Sequence, residues 1–167
     1  GAQDGQNAPD NNGGGGGGGG AHGVIRVFPF QSLGGTISPQ RCDLSPDGRW
    51  LTFRSERSGG GLYVVPSGGG EERRIADFGY RPKWSPDGAL VLFASSGHVG
   101  GSSRIYVVGR DGGIPRVLRP DVLGTVDVVD AAWAPDGSGA AIWGRRNDTQ
   151  WVFLTVPVQQ GPPVTFG

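Results

Sequence analysis

Apolar residues in this chain come in runs of four to six, built from Val, Ile, Leu, Phe, Tyr and Trp and bounded by turn-forming residues. The clearest are Trp50-Leu51-Thr52-Phe53, Leu62-Tyr63-Val64-Val65, Leu90-Val91-Leu92-Phe93, Ile105-Tyr106-Val107-Val108, Ala140-Ala141-Ile142-Trp143 and Trp151-Val152-Phe153-Leu154. Gly or Pro interrupts each window before a helical period can establish itself, so the runs predict strands and almost exclude helices. Alternate side chains of a strand point to opposite faces. Leu90 and Leu92 therefore share one face while Val91 and Phe93 share the other, and Ile105 with Val107 opposes Tyr106 with Val108. Both faces are apolar and both must be covered, which small twisted sheets stacked face to face achieve. The fold class expected is all-β.

One tetrapeptide punctuates the runs: Ser45-Pro46-Asp47-Gly48, Ser85-Pro86-Asp87-Gly88 and Ala134-Pro135-Asp136-Gly137. Proline presets φ at about −65° for the first central position of a turn, aspartate bonds nearby backbone, and glycine takes the left-handed position that returns the chain as a hairpin. Pro46, Asp47, Gly48, Pro86, Asp87, Gly88, Pro135, Asp136 and Gly137 are thus expected to be structural turn residues, lying one set per repeat with the aspartates far apart. The spacings, 40 and then 49 residues, fall where a repeat means a propeller blade or a solenoid unit. Each unit reads as four short strands. Before the first, Val24 to Phe30 and Leu33 to Ser38 read as the last two strands of an incomplete unit.

The pattern P-x-W-S-P-D-G, an apolar strand ending in Phe, then I-Y-V-V and a G-G turn, resembles the TolB-type, WD-repeat-like β-propeller family. It is clearest from Tyr80 to Leu118 and extends over about Pro39 to Phe166. Leu44 stands where tryptophan is usual, and Ala134 replaces serine in the third repeat. The expected organisation is a glycine-rich tether at 1–23, a partial blade at 24–40, and blades at 41–79, 80–120 and 121–167, about three and a half four-stranded antiparallel blades of a partial propeller. Closed propellers use about 4 to 8 blades. An open stack leaves an apolar face at each end, and faces of that kind mark interfaces.

Composition then narrows the chemistry. Fifteen acidic residues balance fifteen basic ones, all arginine except Lys83, and a neutral chain without a basic stripe is a poor partner for nucleic acid. No run approaches the roughly 20 apolar residues of a membrane-spanning helix, so no membrane span is expected. The absence of methionine is expected of a mature form lacking its leader or of a piece of something longer. The first 23 residues are polar and then almost pure glycine, with no side chain to offset the ordering cost of about 1–2 kcal/mol per residue. Cys42, the one cysteine, occupies an apolar repeat position and is expected to be a small buried hydrophobe.

Catalysis finds little support. His22 and His98 are the two histidines, and no G-x-S-x-G elbow occurs, so no triad, no catalytic residue, no cofactor and no metal site is assigned. Asp121, Asp127 and Asp130 crowd the connection into the third blade, where a calcium site competes with a solvated loop. Glu71-Glu72 beside Arg73-Arg74 reads as mutual neutralisation on a loop. Asn147-Asp148-Thr149 is a glycosylation sequon in a hairpin. Arg145 and Arg146 close the third hairpin and are the candidate partner contacts, since arginine grips carboxylate or phosphate.

The resemblance implies a non-catalytic protein-binding or assembly module of periplasmic or extracellular type, or the gating propeller of a prolyl-oligopeptidase-type serine hydrolase whose catalytic domain lies elsewhere; the open end faces add a third reading, a self-assembling extracellular structural subunit. The partner expected is a protein, or a second copy meeting the open blade faces.

Overall fold

The computed structural model describes residues 42–97, 103–147 and 149–159, with the backbone of 164–166. The tether, the partial blade expected at 24–40, His22, His98 and Asp148 lie outside the described residues. Twelve strands are described, in three four-stranded antiparallel sheets, each ordered as the chain runs. The first sheet holds β1 (Cys42–Leu44), β2 (Trp50–Ser55), β3 (Gly61–Pro66) and β4 (Arg73–Ala76). The second holds β5 (Tyr80–Trp84), β6 (Leu90–Ala94), β7 (Ile105–Gly109) and β8 (Gly112–Val117). The third holds β9 (Val126–Trp133), β10 (Gly139–Arg146), β11 (Gln150–Pro157) and β12 (Val164–Phe166).

Side-chain alternation places the second sheet between the other two. Val91, Phe93 and Val108 pack with Leu62, Val64 and Ile75 of the first sheet. Leu92, Ala94, Ile105 and Val107, on the opposite face, pack with Val128, Ala131, Ile142, Val152 and Leu154 of the third. Both faces of β6 and β7 are therefore covered, which explains why their apolar residues do not alternate with polar ones. Phe93 is fully buried and meets Phe78 edge-on at 5.5 Å and Tyr106 in a stack at 5.6 Å between ring centres. A smaller cluster of Phe53, Tyr63 and Val65 occupies the face of the first sheet turned away from the second, and these side chains are buried as well.

Two helical turns depart from the all-strand expectation: a short 3-10 turn at Arg57–Gly59, and α1 (Pro120–Leu123). Pro120 starts α1 because its fixed φ suits a first helical position and its missing N–H is unneeded there. Arg119 precedes it in a left-handed conformation and its carbonyl accepts from Leu123 N–H at 2.8 Å. Leu123 is the anchor, buried among the side chains shared by the second and third sheets.

Candidate functional site

The three repeated turns share one construction. Gly48, Gly88 and Gly137 have φ of 71°, 69° and 72°, where any L side chain is strained. Their N–H groups donate to Ser45, Ser85 and Ala134 carbonyls at 2.8, 2.9 and 2.9 Å. Ser45 Oγ donates to Asp47 Oδ1 at 2.6 Å and accepts from Trp50 N–H at 2.9 Å, and Ser85 repeats this with Asp87 and Leu90. The third turn has Ala134 in place of serine, and Ser138, on the far side of the turn, supplies the hydroxyl to Asp136 at 2.7 Å instead.

These hydroxyl bonds, with backbone N–H groups after them, hold all three carboxyls below the ordinary value of 3.8. Each aspartate binds its proton more weakly folded than unfolded. Its contribution is complete above the ordinary carboxylate range and is lost as pH falls through that range and below. Asp87→Asn keeps the shape and removes the titration, so its melting temperature should fall less steeply than that of the wild type between about pH 5 and pH 2. Parallel slopes in a differential scanning calorimetry series would contradict this.

Consecutive turns approach each other, a relation that no single turn's residues specify. A Cβ on Gly88 would stand 3.9 Å from Pro46 Cδ, and one on Gly137 would stand 3.7 Å from Pro86 Cδ. The strands leading into the turns are laced in the same order. Trp84 N–H donates to Asp43 Oδ2 at 2.8 Å, and the Trp84 indole N–H donates to the Asp43 carbonyl at 3.1 Å. One sheet further on, the Trp133 indole donates to the Lys83 carbonyl at 3.0 Å. Lys83 Nζ donates to Asp130 Oδ1 at 2.9 Å and to the Ala131 carbonyl at 2.6 Å.

Strands β1, β5 and β9, the first of each sheet, thus line an open hollow of about 610 Å³, with Asp43, Arg81, Lys83, Asp130, Trp133 and Trp143 on its walls. Arg81 stands at φ 51°, where β5 slips register against β6, and donates to the Val129 carbonyl through Nη1. Its Nε and Nη2 are buried without a hydrogen-bond partner. Lys83 and Asp130 pair with each other, Asp43 is taken up by Trp84 N–H, and no group of His, Cys, Asp or Glu that could hold a metal ion is found among the described residues. Asp121 pairs with Arg119 at 2.7 Å and lies on α1, while Asp127 and Asp130 lie on β9. Cys42 is exposed, a correction to the buried position expected for it. It begins β1 opposite Phe53 at the rim of the hollow, so the apolar repeat pattern does not extend to that end of the strand.

The most distinctive surface is the third sheet's face turned away from the second. Trp143 is 38% exposed, Trp151 54% and Phe153 58%. Trp143 pairs with Phe153 across β10 and β11, and Arg145 pairs with Trp151. The Trp143 ring stacks on Trp151 at 5.1 Å and on Phe153 at 6.1 Å, and the Arg145 guanidinium lies 5.9 Å from the Trp151 ring centre. Arg145 and Arg146 lie in strand β10, which runs past the apolar run and keeps its ladder with β11 through both arginines. Arg145 borders the aromatic row, whereas Arg146, opposite Gln150, belongs to the other face of the sheet. Asn147 follows as an exposed left-handed turn residue, its carbonyl accepting from Thr149 Oγ1 at 3.2 Å.

No family model matches the chain. Over 57 residues, 31% of its length, it is 46% identical to the protein named uncharacterized peptidase YuxL of Bacillus subtilis (strain 168), of which it spans 9%. Its fold is similar to that of TolB from Acinetobacter baumannii, with a TM-score of 0.56 and 21% identity over 76% of this chain and 32% of that one. It is also similar to a putative TolB from Agrobacterium tumefaciens, with a TM-score of 0.53 and 24% identity over 75% of this chain and 44% of that one. The chain therefore spans less than half the length of each of these three proteins. Stacked four-stranded sheets and this likeness together make it an all-β protein built of β-propeller blades.

Proposed function

We propose that this chain is a non-catalytic binding and assembly module of the periplasm or extracellular space, which docks a protein partner through the open face of its third sheet. The observation that carries this reading is the stacked row of Trp143, Trp151 and Phe153, an apolar surface left exposed at the end of a stack whose interior faces are covered. Aromatic anchors of this kind dominate protein interfaces. The flanking Arg145 suits the polar rim of such a surface. No helix among the described residues is long and apolar enough to cross a membrane.

A docking face contributes to association and little to the stability of the chain itself, because surface substitutions usually stay within about 0.5 kcal/mol of neutral. The double variant Trp151→Ser, Phe153→Ser should therefore melt at the wild-type temperature in circular dichroism. A drop of many degrees would show that the row is part of the folding core and would sink the reading.

The YuxL likeness favours a second reading, in which the chain is a stretch of a peptidase's gating propeller. There the hollow beside β1, β5 and β9 would be part of the access path, and further blades would cover the aromatic row. A catalytic α/β domain encoded in the same open reading frame would shift the weight to this reading, and a frame without one would return it.

A further inference from the structure

A second surface lies at the outer edge of the second sheet, on the side of the third sheet turned away from the aromatic row. β8 is the last strand of its sheet, and Leu118, just past its end, donates its N–H to the Ile105 carbonyl at 2.8 Å. Successive residues of an antiparallel strand send their backbone groups to opposite sides, so Val117, opposite Tyr106, turns its N–H and C=O outward. No hydrogen bond to either group is found among the described residues. Pro115, the next residue of the same parity, has no N–H, and beyond Leu118 the chain leaves the strand for α1. The free edge is thus about one residue long, which discourages pairing with another sheet edge.

The surroundings of Val117 are specific. Toward the third sheet lies a groove of about 510 Å³, with Val107, Leu118 and Val158 as its apolar part and Arg116, Arg119 and Asp121 as its charged part. Arg119 pairs with Asp121 at 2.7 Å. Arg116 is exposed, and its side chain has no ion pair or hydrogen bond among the described residues. A smaller hollow of about 90 Å³ adjoins the same Val117 and Leu118, with Ile105 and Leu123 on its walls and Arg104 beside it. Arg104 is exposed as well, and its guanidinium is likewise unpaired among the described residues. Three arginines and one aspartate line the two spaces together, so the surface attracts negative charge.

We infer that this edge receives a short extended segment of a partner protein, added antiparallel to β8, in which an apolar residue stands two positions before an acidic one. The residue between them exchanges both main-chain hydrogen bonds with Val117. Directly opposed side chains of neighbouring strands share a face, so the residue before it stands over Leu118 and the smaller hollow, and the residue after it stands beside Arg116. Strand addition of this kind draws affinity from main-chain bonds and specificity from pockets for alternate side chains. With Pro115 limiting the main-chain bonds, the two side chains carry the selection: the apolar hollow takes an aliphatic group, and the unpaired guanidinium takes a carboxylate. This surface goes beyond the docking reading above and does not depend on it, because the aromatic row lies on the other face of the third sheet.

The test titrates the full chain with fluorescein-labelled, threonine-rich peptides in which one leucine lies two residues before one glutamate, read by fluorescence anisotropy. Saturable binding is expected, with hydrogen exchange of the Val117 amide slowed severalfold. Methylating the peptide nitrogen between leucine and glutamate should weaken binding about tenfold, because it removes a main-chain bond. Arg116→Glu should weaken it about fivefold or more, since an attraction becomes a repulsion, and should melt at the wild-type temperature. Absence of saturable binding would overturn the inference. So would equal binding of a peptide with leucine and glutamate exchanged, of one with the leucine replaced by threonine, or of the methylated one, and these comparisons need no variant protein to fold. The double variant at Trp151 and Phe153 should bind the peptide as the wild type does, which keeps failure of the docking reading distinct from failure here.

Discussion

Gly79→Ala is expected to lower the melting temperature by on the order of 10–20 °C. Gly79 joins the first sheet to the second, is buried, and has φ 118°. An L residue held there stores about 1–3 kcal/mol of backbone strain. The new methyl would also fall inside the envelope of the Phe93 ring, 2.8 Å from Cε2, and 3.0 Å from Leu62 Cδ1. Both neighbours are fully buried, so neither can swing into solvent, and forcing a methyl into such a core costs about 1–3 kcal/mol more. The Gly79 carbonyl accepts from Arg54 Nη1 at 2.7 Å, and that guanidinium lies 3.9 Å from the Tyr80 ring centre. Backbone movement to relieve the clash would disturb this buried contact as well. The two strain contributions sum to about 2–6 kcal/mol, against a total stability of about 5–15 kcal/mol for a typical domain. A melt within a few degrees of wild type would show that the linker between the sheets rearranges freely.

The contrast between Gly79 and the turn glycines shows which parts of the fold could be read in advance. The hairpins were legible because proline, aspartate and glycine act within four residues, and Gly48, Gly88 and Gly137 stand at the left-handed angles such turns require. The two-sided cover of Leu90–Phe93 was legible too, since strand alternation fixes the faces without knowledge of the partners. Gly79 gave no such sign. Its constraint comes from Phe93 and Leu62, 14 and 17 residues away in sequence and brought near only by sheet stacking. Trp84 and Trp133 were marked by their place before the turn, but their bonds to Asp43 and Lys83 span 41 and 50 residues. The short helix at Pro120–Leu123 was missed because four residues establish no period. An open apolar end was expected from the blade count, whereas Trp143, Trp151 and Phe153 could be assigned to it only once the register of β10 and β11 was known. Arg145 and Arg146 were read as a pair, and only pairing with Trp151 and Gln150 divides them between two faces.

Phe93→Ala should cost about 3–5 kcal/mol, and the location of the damage is as informative as its size. Phe93 lies at the first interface, against Phe78 and Tyr106, and has no accessible surface. Truncation leaves a ring-sized void between two sheets whose strands cannot easily close on it. Ile142, also buried, makes the matching contact at the second interface. In stacked repeats, stability is approximately a sum of unit and nearest-neighbour contributions. Native-state hydrogen exchange of Phe93→Ala should therefore show faster opening of β2, β3, β6 and β7, with β10 and β11 close to wild type at low denaturant. Ile142→Ala should spare β2 and β3 instead. If either substitution accelerates all three sheets equally, the stack opens as one cooperative body. Docking a partner on the aromatic row would then stabilise Phe53 and Tyr63 at the far end as strongly as Trp143, whereas independent opening confines the benefit to the third sheet and its interface with the second. The exchange pattern of these two variants thus determines how far a docked partner's effect reaches into the chain.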